Sequence, residues 1–326
     1  MINGKVIRVD GNSLLISKGY LFSENDNKYT MRDGKYGLLS RVKLFRRLVR
    51  AEITGLYEMS DGETLAVAKK GLFLKKKGES NFEKMFSMPR GSKPLNLCFS
   101  PSGNIYFGEY FQNMDEQPVN IYCSKDNART WNVVYTFPKG SINHIHGVFF
   151  DKYTNRIWVI TGDRENECII GYTEDEFKTS VEVFRGGQEY RTCQLFFYKD
   201  FIIFATDTQY QQNVIKKFDR NTLEITELQE VQGSVIKGGQ VGDISFISTT
   251  VEPSVVNKDR YAHLWLTKDG IHWEEKYKAK KDWLPSIFQF GTFEFPQYYG
   301  IEKLERLYFS GRALKGIDGK STYIEI

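Results

Sequence analysis

A turn that follows a short apolar strand returns along this chain at nearly even spacing. Its clearest copy is SKDNARTW at residues 124–131, preceded by NIYC, and a second copy is TKDGIHW at residues 267–273, preceded by HLWL. With weaker copies there are seven markers, and neighbouring markers lie 44 to 51 residues apart. The markers are Asp26, Lys77, Asp126, Asp175, Asp219, Asp269 and Asp318. Such spacing indicates one structural unit repeated along the chain.

Each repeat contains four short runs rich in Ile, Val, Phe, Tyr and Trp, bounded by Gly, Asn, Asp and Pro. Runs of this composition predict β-strands, and four strands per repeat of about 40 to 50 residues are typical of a β-propeller. We therefore predict an all-β fold, with residues 1–326 forming a single β-propeller domain of seven four-stranded blades. Six blades is the alternative, because the first and last copies are degenerate. The basic run at residues 40–50 predicts a short helix or a charged strand.

The segment SKDNARTW resembles the Asp-box, or BNR repeat, of the sialidase-like superfamily. It departs from that motif at Ala128, where Gly is usual, and Asp269 and Trp273 match a copy one residue shorter. The resemblance implies a structural turn between the third and fourth strands of a blade, in which the Asp binds backbone N–H groups and the Trp packs between blades. It implies a fold rather than an activity. A true sialidase is not predicted, because the Arg-Ile-Pro motif of that family does not occur in this sequence.

Charge and composition narrow the partners that we expect. The formal net charge is only +4, and the basic residues do not alternate with aromatic ones on one predicted face, so no nucleic-acid partner is expected. No run of about 18 apolar residues occurs, so no membrane partner is expected. Four cysteines without a CxxC pair fall in predicted strands, which predicts small buried hydrophobes. They are Cys98, Cys123, Cys168 and Cys193.

The first residues already have the pattern of a strand and a turn, so a cytoplasmic location is expected. A secreted or periplasmic location is the alternative if a signal peptide has been removed. The sequence does not indicate an oligomeric state.

The turn markers also indicate where a ligand would bind. If they lie between third and fourth strands, the loops that enter first strands and leave second strands lie on the opposite face, and we expect them to form one funnel. The loops that enter first strands contribute Lys93, His144, His146, Tyr190, Arg191 and Lys237. The loops that leave second strands contribute Glu109, Tyr110, Asp163, Arg164, Asp207, Glu252 and Arg312.

The strongest local motif is Asn143-His144-Ile145-His146-Gly147, which holds two of the four histidines in the chain. Residues i and i+2 of a strand point to the same side, so both imidazoles are expected at the mouth of the funnel. Imidazole transfers protons near neutral pH, which predicts acid–base catalysis. The alternatives are a structural pair bonded to neighbouring strands, and metal binding together with Asp163. HxH without a third ligand at diagnostic spacing is weak, so we expect no metal and no other cofactor.

Tyr190, Arg191 and Asp163 complete the predicted centre. Arg offers a planar fork for a carboxylate, Tyr can relay a proton, and Asp can act as an acid or accept from sugar hydroxyls. The structural alternatives are a Tyr packed at the edge of a sheet, an Arg paired with a nearby acid, and an Asp that caps its own loop.

These residue types predict a carbohydrate-active enzyme, either a polysaccharide lyase or a glycoside hydrolase, with a carbohydrate as ligand. The pattern looks like certain propeller lyases that act on uronic acids. That resemblance implies that Arg191 or Arg312 neutralises the uronate carboxylate while His146 or Tyr190 abstracts the C5 proton. A glycosidase needs two carboxylates across the bond, for example Asp163 with Glu109 or Asp207. A non-catalytic propeller that binds a glycan or a protein is the alternative.

The predicted site residues fall into two groups. The predicted catalytic residues are His144, His146, Tyr190 and Asp163. The predicted substrate-binding residues are Arg191, Arg164, Asp207, Glu109, Arg312, Lys93 and Lys237.

Overall fold

Strands hold 51% of the residues and helices only 5%, which confirms the predicted all-β class. The structure is a computed structural model that describes residues 1–24, 27–59 and 61–326. Two compact units are present, which we describe separately. Unit 1 consists of residues 1–85 and 232–326, and unit 2 of residues 86–231.

Unit 1 begins with antiparallel strands joined by short turns. The strands are β1 (Lys5–Asp10), β2 (Ser13–Lys18), β3 (Leu21–Glu24), β4 (Asn27–Met31), β5 (Gly55–Glu58), β6 (Thr64–Ala68), β7 (Gly71–Lys75) and β8 (Asn81–Ser87). β1 to β4 pair in chain order, as do β5 to β7, and β4 pairs with β8 in parallel. Consecutive hairpins of this kind follow from runs of apolar residues interrupted by turn residues such as Gly11, Gly19 and Gly62.

Two short helices, α1 (Gly34–Leu39) and α2 (Lys43–Val49), connect β4 to β5. The basic run at residues 40–50 is therefore largely helical, which was one of the two predicted forms. α2 is held by the buried Arg47, whose Nε donates to the Phe288 carbonyl at 2.9 Å. Nη1 of the same side chain lies 3.1 Å from Asp318 Oδ2. This helix is thus fixed by an ion pair and a hydrogen bond rather than by an apolar face.

Unit 2 consists of three four-stranded antiparallel sheets that follow one another along the chain, after the last residues of β8. The first contains β9 (Cys98–Phe99), β10 (Ile105–Gly108), β11 (Val119–Ser124) and β12 (Asn132–Phe137). The second contains β13 (His144–Asp151), β14 (Arg156–Gly162), β15 (Cys168–Thr173) and β16 (Val181–Gly186). The third contains β17 (Thr192–Phe197), β18 (Phe201–Thr206), β19 (Asn213–Asp219) and β20 (Ile225–Val231). In each sheet the strands pair in chain order.

Burial explains why these sheets stack within unit 2. The second strand, for example β14, is buried along almost its whole length, whereas the fourth strand β16 is largely exposed. One core cluster contains Tyr106 of the first sheet, Val148 and Ile169 of the second, and Phe177 from the turn after β15. Side chains on both faces of the inner strands are removed from water, so the inner strands are continuous apolar runs.

The remainder of unit 1 follows β20. Its strands are β21 (Ser234–Val241), β22 (Ile244–Thr250), β23 (Tyr261–Thr267), β24 (Glu274–Lys280), β25 (Thr292–Glu294), β26 (Gln297–Tyr299), β27 (Arg306–Arg312) and β28 (Ser321–Glu325). β21 to β24 form a four-stranded sheet, and β25, β27 and β28 form a three-stranded one. Ile2 bridges Ser321 of β28, and β26 pairs with β1 in parallel. Residues from both ends of the chain therefore share hydrogen bonds.

The predicted Asp turns lie between third and fourth strands in unit 2. Asp126 follows β11, and its Oδ1 accepts from the Thr130 backbone N–H at 2.8 Å while the Thr130 hydroxyl donates to Oδ2 at 2.6 Å. Asp175 follows β15 and makes the same two bonds with Thr179, at 2.9 and 2.7 Å. The Trp131 ring packs 5.1 Å from that of Phe107. Asp126 and Asp175 therefore stabilise the turns that follow β11 and β15.

Two of the seven turn markers, Asp318 and Asp26, are not seen between a third and a fourth strand. Asp318 lies between β27 and β28, the second and third strands of its sheet, so its prediction as a turn between third and fourth strands is wrong. The reason is that Ile2, not a downstream segment, continues this sheet beyond β28. Asp26 lies outside the described residues.

Two further expectations concern the cysteines and membranes. All four cysteines are buried and unpaired, which confirms their prediction as small core residues. Burial raises the pKa of Cys168 to about 12, so its thiol is unreactive at neutral pH.

Within the described ranges, no helix has both the length and the apolar character needed to cross a bilayer.

Candidate functional site

The candidate site lies in unit 2, where four strand ends bring polar side chains together. β13 begins with His144 and His146, which project to the same side as the two-residue spacing predicts. Asp163 follows the last residue of β14, and Arg191 precedes the first residue of β17. Tyr110 lies in the loop after β10. Each of the three sheets of unit 2 therefore contributes side chains to the site.

Backbone carbonyls determine the tautomer of both imidazoles. His144 Nδ1 lies 2.8 Å from the Phe111 carbonyl oxygen, and His146 Nδ1 lies 2.8 Å from the Thr192 carbonyl oxygen. A carbonyl oxygen can only accept a hydrogen bond, so Nδ1 of each ring carries the proton. In the neutral form, the lone pair of each ring is therefore on Nε2, and burial lowers the pKa of His146 although Asp163 opposes the shift.

The two Nε2 atoms face each other across 3.0 Å, and both approach the carboxylate of Asp163. His146 Nε2 lies 3.1 Å from Oδ1, and His144 Nε2 lies 3.2 Å from Oδ2. Asn143 Nδ2 also donates to Oδ2, at 3.2 Å. Three potential donors of an electron pair thus converge on one point, with the imidazoles buried and Asp163 about 29% exposed.

Arg191 connects Asp163 to a second carboxylate. Its Nη2 lies 2.9 Å from Asp163 Oδ1 and 3.8 Å from Asp207 Oδ2. The Cys193 thiol donates to Asp207 Oδ2 at 3.2 Å. Although burial alone would lower the pKa of Arg191, the two carboxylates raise it, so the guanidinium stays charged. Burial tends to raise the pKa of Asp163, but its contacts with the two imidazoles hold that pKa well below its usual range.

Tyr110 closes the other side of the imidazole pair. Its ring centroid lies 4.3 Å from that of His144 and 6.1 Å from that of His146. Burial raises the pKa of Tyr110, and nearby carboxylates add to the shift, so the phenol keeps its proton at neutral pH. The sequence placed Tyr110 in a funnel loop without a catalytic role.

A glycine makes room for the second imidazole. A Cβ atom on Gly162, the last residue of β14, would lie 2.6 Å from His146 Cε1 and 3.1 Å from Nε2. Any larger residue there would displace the ring. Gln188, which was not predicted as a site residue, donates from Nε2 to the Asp163 carbonyl at 2.8 Å. This bond orients the loop that follows β14. Neither residue has a sequence pattern that reveals its contact.

Other predicted residues of unit 2 lie outside these contacts. The Tyr190 ring stacks on Phe184 at 5.3 Å, with an interplanar angle of 12°. Glu109 is buried in an ion pair with Arg90 and accepts from the Asn120 N–H at 2.9 Å. For Tyr190, packing of this kind is the structural alternative that the sequence left open.

Arg164 lies on the surface beside the site and pairs with Glu116 at 3.0 Å and Glu167 at 3.5 Å. Lys93 is half-buried in the loop that enters β9.

Arg312 and Lys237 belong to unit 1 and form part of a separate charged cluster. Arg312 Nη1 lies 3.1 Å from Glu294 Oε1, and Lys5 Nζ lies 2.7 Å from Glu294 Oε2. Lys237 lies within β21 rather than in the loop before it, and its charge contributes to a lowered pKa of Glu294. Glu294 was not predicted, because its run FEFPQ has no motif.

Among the residues that the structure describes, two groups of side chains have the composition and proximity to hold a metal ion. One is His144, His146 and Asp163, and the other is His146, Cys193 and Asp207. The first presents two imidazole nitrogens and a carboxylate with lone pairs directed inward. The second shares His146, whose Nδ1 is already bound to the Thr192 carbonyl, so only its Nε2 is available to either group.

Comparison with known proteins gives a fold but no family. No protein-family model matches the chain, and no curated protein matches it. Solved structures match at low identity. An ancestral GH74 enzyme matches with a TM-score of 0.56 and 9% identity, over 99% of this chain and 46% of that one.

The GH74 xyloglucanase from Xanthomonas campestris matches with a TM-score of 0.55 and 13% identity, over 85% of this chain and 46% of that one. The chain thus spans less than half of either GH74 enzyme. A chain of a nidogen/laminin complex matches with a TM-score of 0.53 and 10% identity, over 82% of this chain and 92% of that one. Proteins with unrelated activities share this likeness, so it supports a β-propeller fold and no particular function.

Proposed function

We propose that the chain is a carbohydrate-active enzyme that cleaves an acidic glycan at the cluster of unit 2. The observation that carries this proposal is the convergence of His144, His146, Asp163, Arg191 and Tyr110 in one buried, polar site. Burying His144, His146 and Arg191 costs folding free energy, which a purely structural turn would not require. The GH74 enzymes that share the fold support a carbohydrate as the substrate and give no support for its acidic character.

We further propose seven blades and an Asp-box turn related to that of the sialidase-like superfamily, in an enzyme that is not a sialidase. Support comes from successive strand groups, each antiparallel within itself, and from the bonds of Asp126 and Asp175. The proposed blades are β1–β4, β5–β8, β9–β12, β13–β16, β17–β20, β21–β24, and β25, β27 and β28 with Ile2. The proposed site then lies at the ends of strands opposite these turns.

Elimination fits the site better than hydrolysis. Hydrolysis requires two carboxylates across the scissile bond. Glu109 is bound by Arg90, and Asp207 is buried and bound by the Cys193 thiol, so neither is placed to act with Asp163 on a sugar. Elimination needs one group that takes the C5 proton and a cation that binds the uronate carboxylate.

In the proposed reaction, a base takes the C5 proton of the uronic acid. The electron pair forms the C4–C5 double bond, the C4–O bond breaks, and the departing oxygen receives a proton. We assign the proton transfers to His146 and Tyr110, and the positive charge for the carboxylate to Arg191. Tyr110 takes the role that the sequence assigned to Tyr190.

A screen against polyuronates, read by the ultraviolet absorbance of unsaturated uronates, tests this proposal. We expect turnover by the wild type, and losses of about 10²- to 10⁴-fold for His146→Gln and Tyr110→Phe. The matched control is His263→Gln, a buried histidine of unit 1 that should keep full activity. Release of reducing ends without that absorbance would instead indicate hydrolysis. Binding of a glycan without any cleavage would overturn the enzyme proposal in favour of a binding propeller.

A further inference from the structure

We propose that His144 Nε2, His146 Nε2 and the Asp163 carboxylate bind one divalent transition-metal ion. The inference concerns the same site as the proposed glycan activity but does not rest on it, because metal binding is measured without a substrate. It goes against the expectation from sequence, which assigned no metal. Four observations support it: ring orientation, distances, charge, and the contrast with another buried histidine.

The first observation is the orientation of the two rings. Each ring donates its Nδ1 proton to a backbone carbonyl, His144 to Phe111 and His146 to Thr192. Imidazoles that bind a metal through Nε2 are generally held in this way by a second hydrogen bond. The result is two lone pairs that face each other across 3.0 Å. Two lone pairs at that distance repel unless a proton or a cation lies between them.

The second observation is the set of distances between the donor atoms. For metal–nitrogen and metal–oxygen bonds of about 2.1 Å, ligand atoms lie about 3.0 Å apart at right angles and about 3.4 Å apart in a tetrahedron. The Nε2 atoms lie 3.0 Å apart, His146 Nε2 lies 3.1 Å from Asp163 Oδ1, and His144 Nε2 lies 3.2 Å from the other oxygen, Oδ2; each of these pairwise distances falls within this range. The site needs little rearrangement to accept an ion.

The third observation is the balance of charge. Asp163 and Asp207 place two negative charges around one guanidinium, that of Arg191, so these three groups together carry one net negative charge. Arg164 nearby does not offset it, since it already faces Glu116 and Glu167. A divalent cation would turn this net charge positive, which also favours binding of an anionic glycan.

The fourth observation is the contrast with His263 in unit 1. That ring is also buried, but its Nδ1 lies 2.6 Å from Glu275 Oε2 and its Nε2 lies 3.0 Å from Asp259 Oδ2. Each nitrogen of His263 faces a separate carboxylate, whereas the Nε2 atoms of His144 and His146 face each other and share one carboxylate. His263 is therefore a matched control with the same residue type and burial.

The donor set indicates which ion would bind. Two imidazoles and one carboxylate suit Zn²⁺, Co²⁺, Mn²⁺ or Fe²⁺, whereas Ca²⁺ and Mg²⁺ prefer sites made of oxygen atoms. Three protein ligands leave further coordination positions, and the partly exposed Asp163 marks the side open to a ligand. A cation on His146 Nε2 would occupy the lone pair that the proposed elimination needs as its base, so metal binding and a His146 base exclude each other at this site.

The test uses the full-length protein, stripped with a chelator and dialysed. Titration with Co²⁺, followed by visible absorbance, and with Zn²⁺, followed by calorimetry, should give one equivalent bound and a raised Tm. His146→Gln and His144→Gln should lose at least about 10²-fold in affinity, and His263→Gln should retain it. Circular dichroism of each variant checks that it is folded, and Asp163→Asn provides a third variant if one of the His variants unfolds.

Equal Co²⁺ binding by wild type and a folded His146→Gln variant would overturn the metal proposal. So would the absence of any bound Co²⁺ or Zn²⁺ in the wild type at concentrations up to about 1 mM, a Kd that corresponds to only about −4 kcal/mol. Metal binding without cleavage of any glycan would reject the proposed function and keep the metal site. Full lyase activity in chelator-stripped protein would keep the function and reject a required metal.

Discussion

At the scale of single residues, the Asp turns offer a direct test of what the repeated motif does. Asp175 accepts hydrogen bonds from the Thr179 N–H, the Thr179 hydroxyl and the Thr173 hydroxyl, and these lower its pKa from 3.8 to about 2. Because the folded-state pKa lies below the ordinary value, the turn stabilises the folded chain above about pH 4. That contribution is lost as the pH falls towards 2.

We therefore predict that Asp175→Asn lowers the free energy of unfolding at pH 7 and that this difference shrinks as the pH falls below 4. Urea unfolding at pH 7, 5 and 3.5 measures it. Asp115→Asn, an exposed Asp of the same unit, is the control and should cost little at any of these pH values. A difference that stays constant from pH 7 to 3.5 would show that the carboxylate charge is not what stabilises the turn.

The residue scale also shows what sequence could predict of the site. The alternation of strand side chains placed His144 and His146 on one side, and strand order placed Asp163 at a neighbouring strand end. The sequence favoured Tyr190 over Tyr110 as the catalytic residue, although both lie near strand ends and only packing separates them. Tyr190 stacks on Phe184, whereas Tyr110 packs against the His144 ring. Contacts of this kind depend on side-chain directions that strand periodicity does not determine.

At the scale of elements, α2 shows how a basic segment is held by charge. Arg47 is 4% exposed and pairs with Asp282 and Asp318, while its Nε donates to the Phe288 carbonyl. Sequence left this segment open between helix and strand, because its apolar residues do not mark one buried face. Leu44 and Phe45 are in fact 47% and 48% exposed. Asp282 and Asp318, the carboxylates that hold α2 through Arg47, lie more than 230 residues away in the chain. No local sequence pattern therefore indicates that this segment is a helix.

We predict that Arg47→Ala destabilises the protein by about 1 to 3 kcal/mol, because the Phe288 carbonyl loses its donor and the two carboxylates keep only Lys281 and Lys43 as partners. Arg41→Ala, in the exposed connection before α2, is the control and should change stability by less than about 0.5 kcal/mol. Chemical unfolding measures both values. A cost for Arg47→Ala no larger than that of the control would mean that α2 is not fixed by this ion pair.

At the scale of the whole molecule, the repeat predicted the order of the strands but not the pairing of Ile2 with Ser321 of β28. The strands of unit 2 follow the predicted segments from β9 to β20, because apolar runs and turn residues are local signals. The last sheet differs: β25, β27 and β28 need Ile2 from the other end of the chain. Pairing between residues so far apart in sequence leaves no local pattern, which is why Asp318 was assigned to the wrong turn.

The contact between the two chain ends leads to the last prediction. Ser321 exchanges backbone hydrogen bonds with Ile2, at 2.7 and 3.0 Å. Its buried hydroxyl accepts from the Val6 N–H and donates to the Gly4 carbonyl, both at 2.8 Å. Ser321→Ala leaves that N–H and carbonyl without this partner, so we expect a loss of about 1 to 3 kcal/mol in the free energy of unfolding.

Deletion of residues 1–4 should cost more than Ser321→Ala, because it also exposes the free edge of β28. Ser180→Ala, which removes one exposed hydroxyl bond to Tyr135, is the matched control and should be nearly neutral. Thermal unfolding of the three variants ranks them. If the deletion leaves Tm unchanged, the N-terminal segment does not hold the last sheet. If Ser321→Ala alone matches the control, the backbone bonds to Ile2 hold it without help from the hydroxyl.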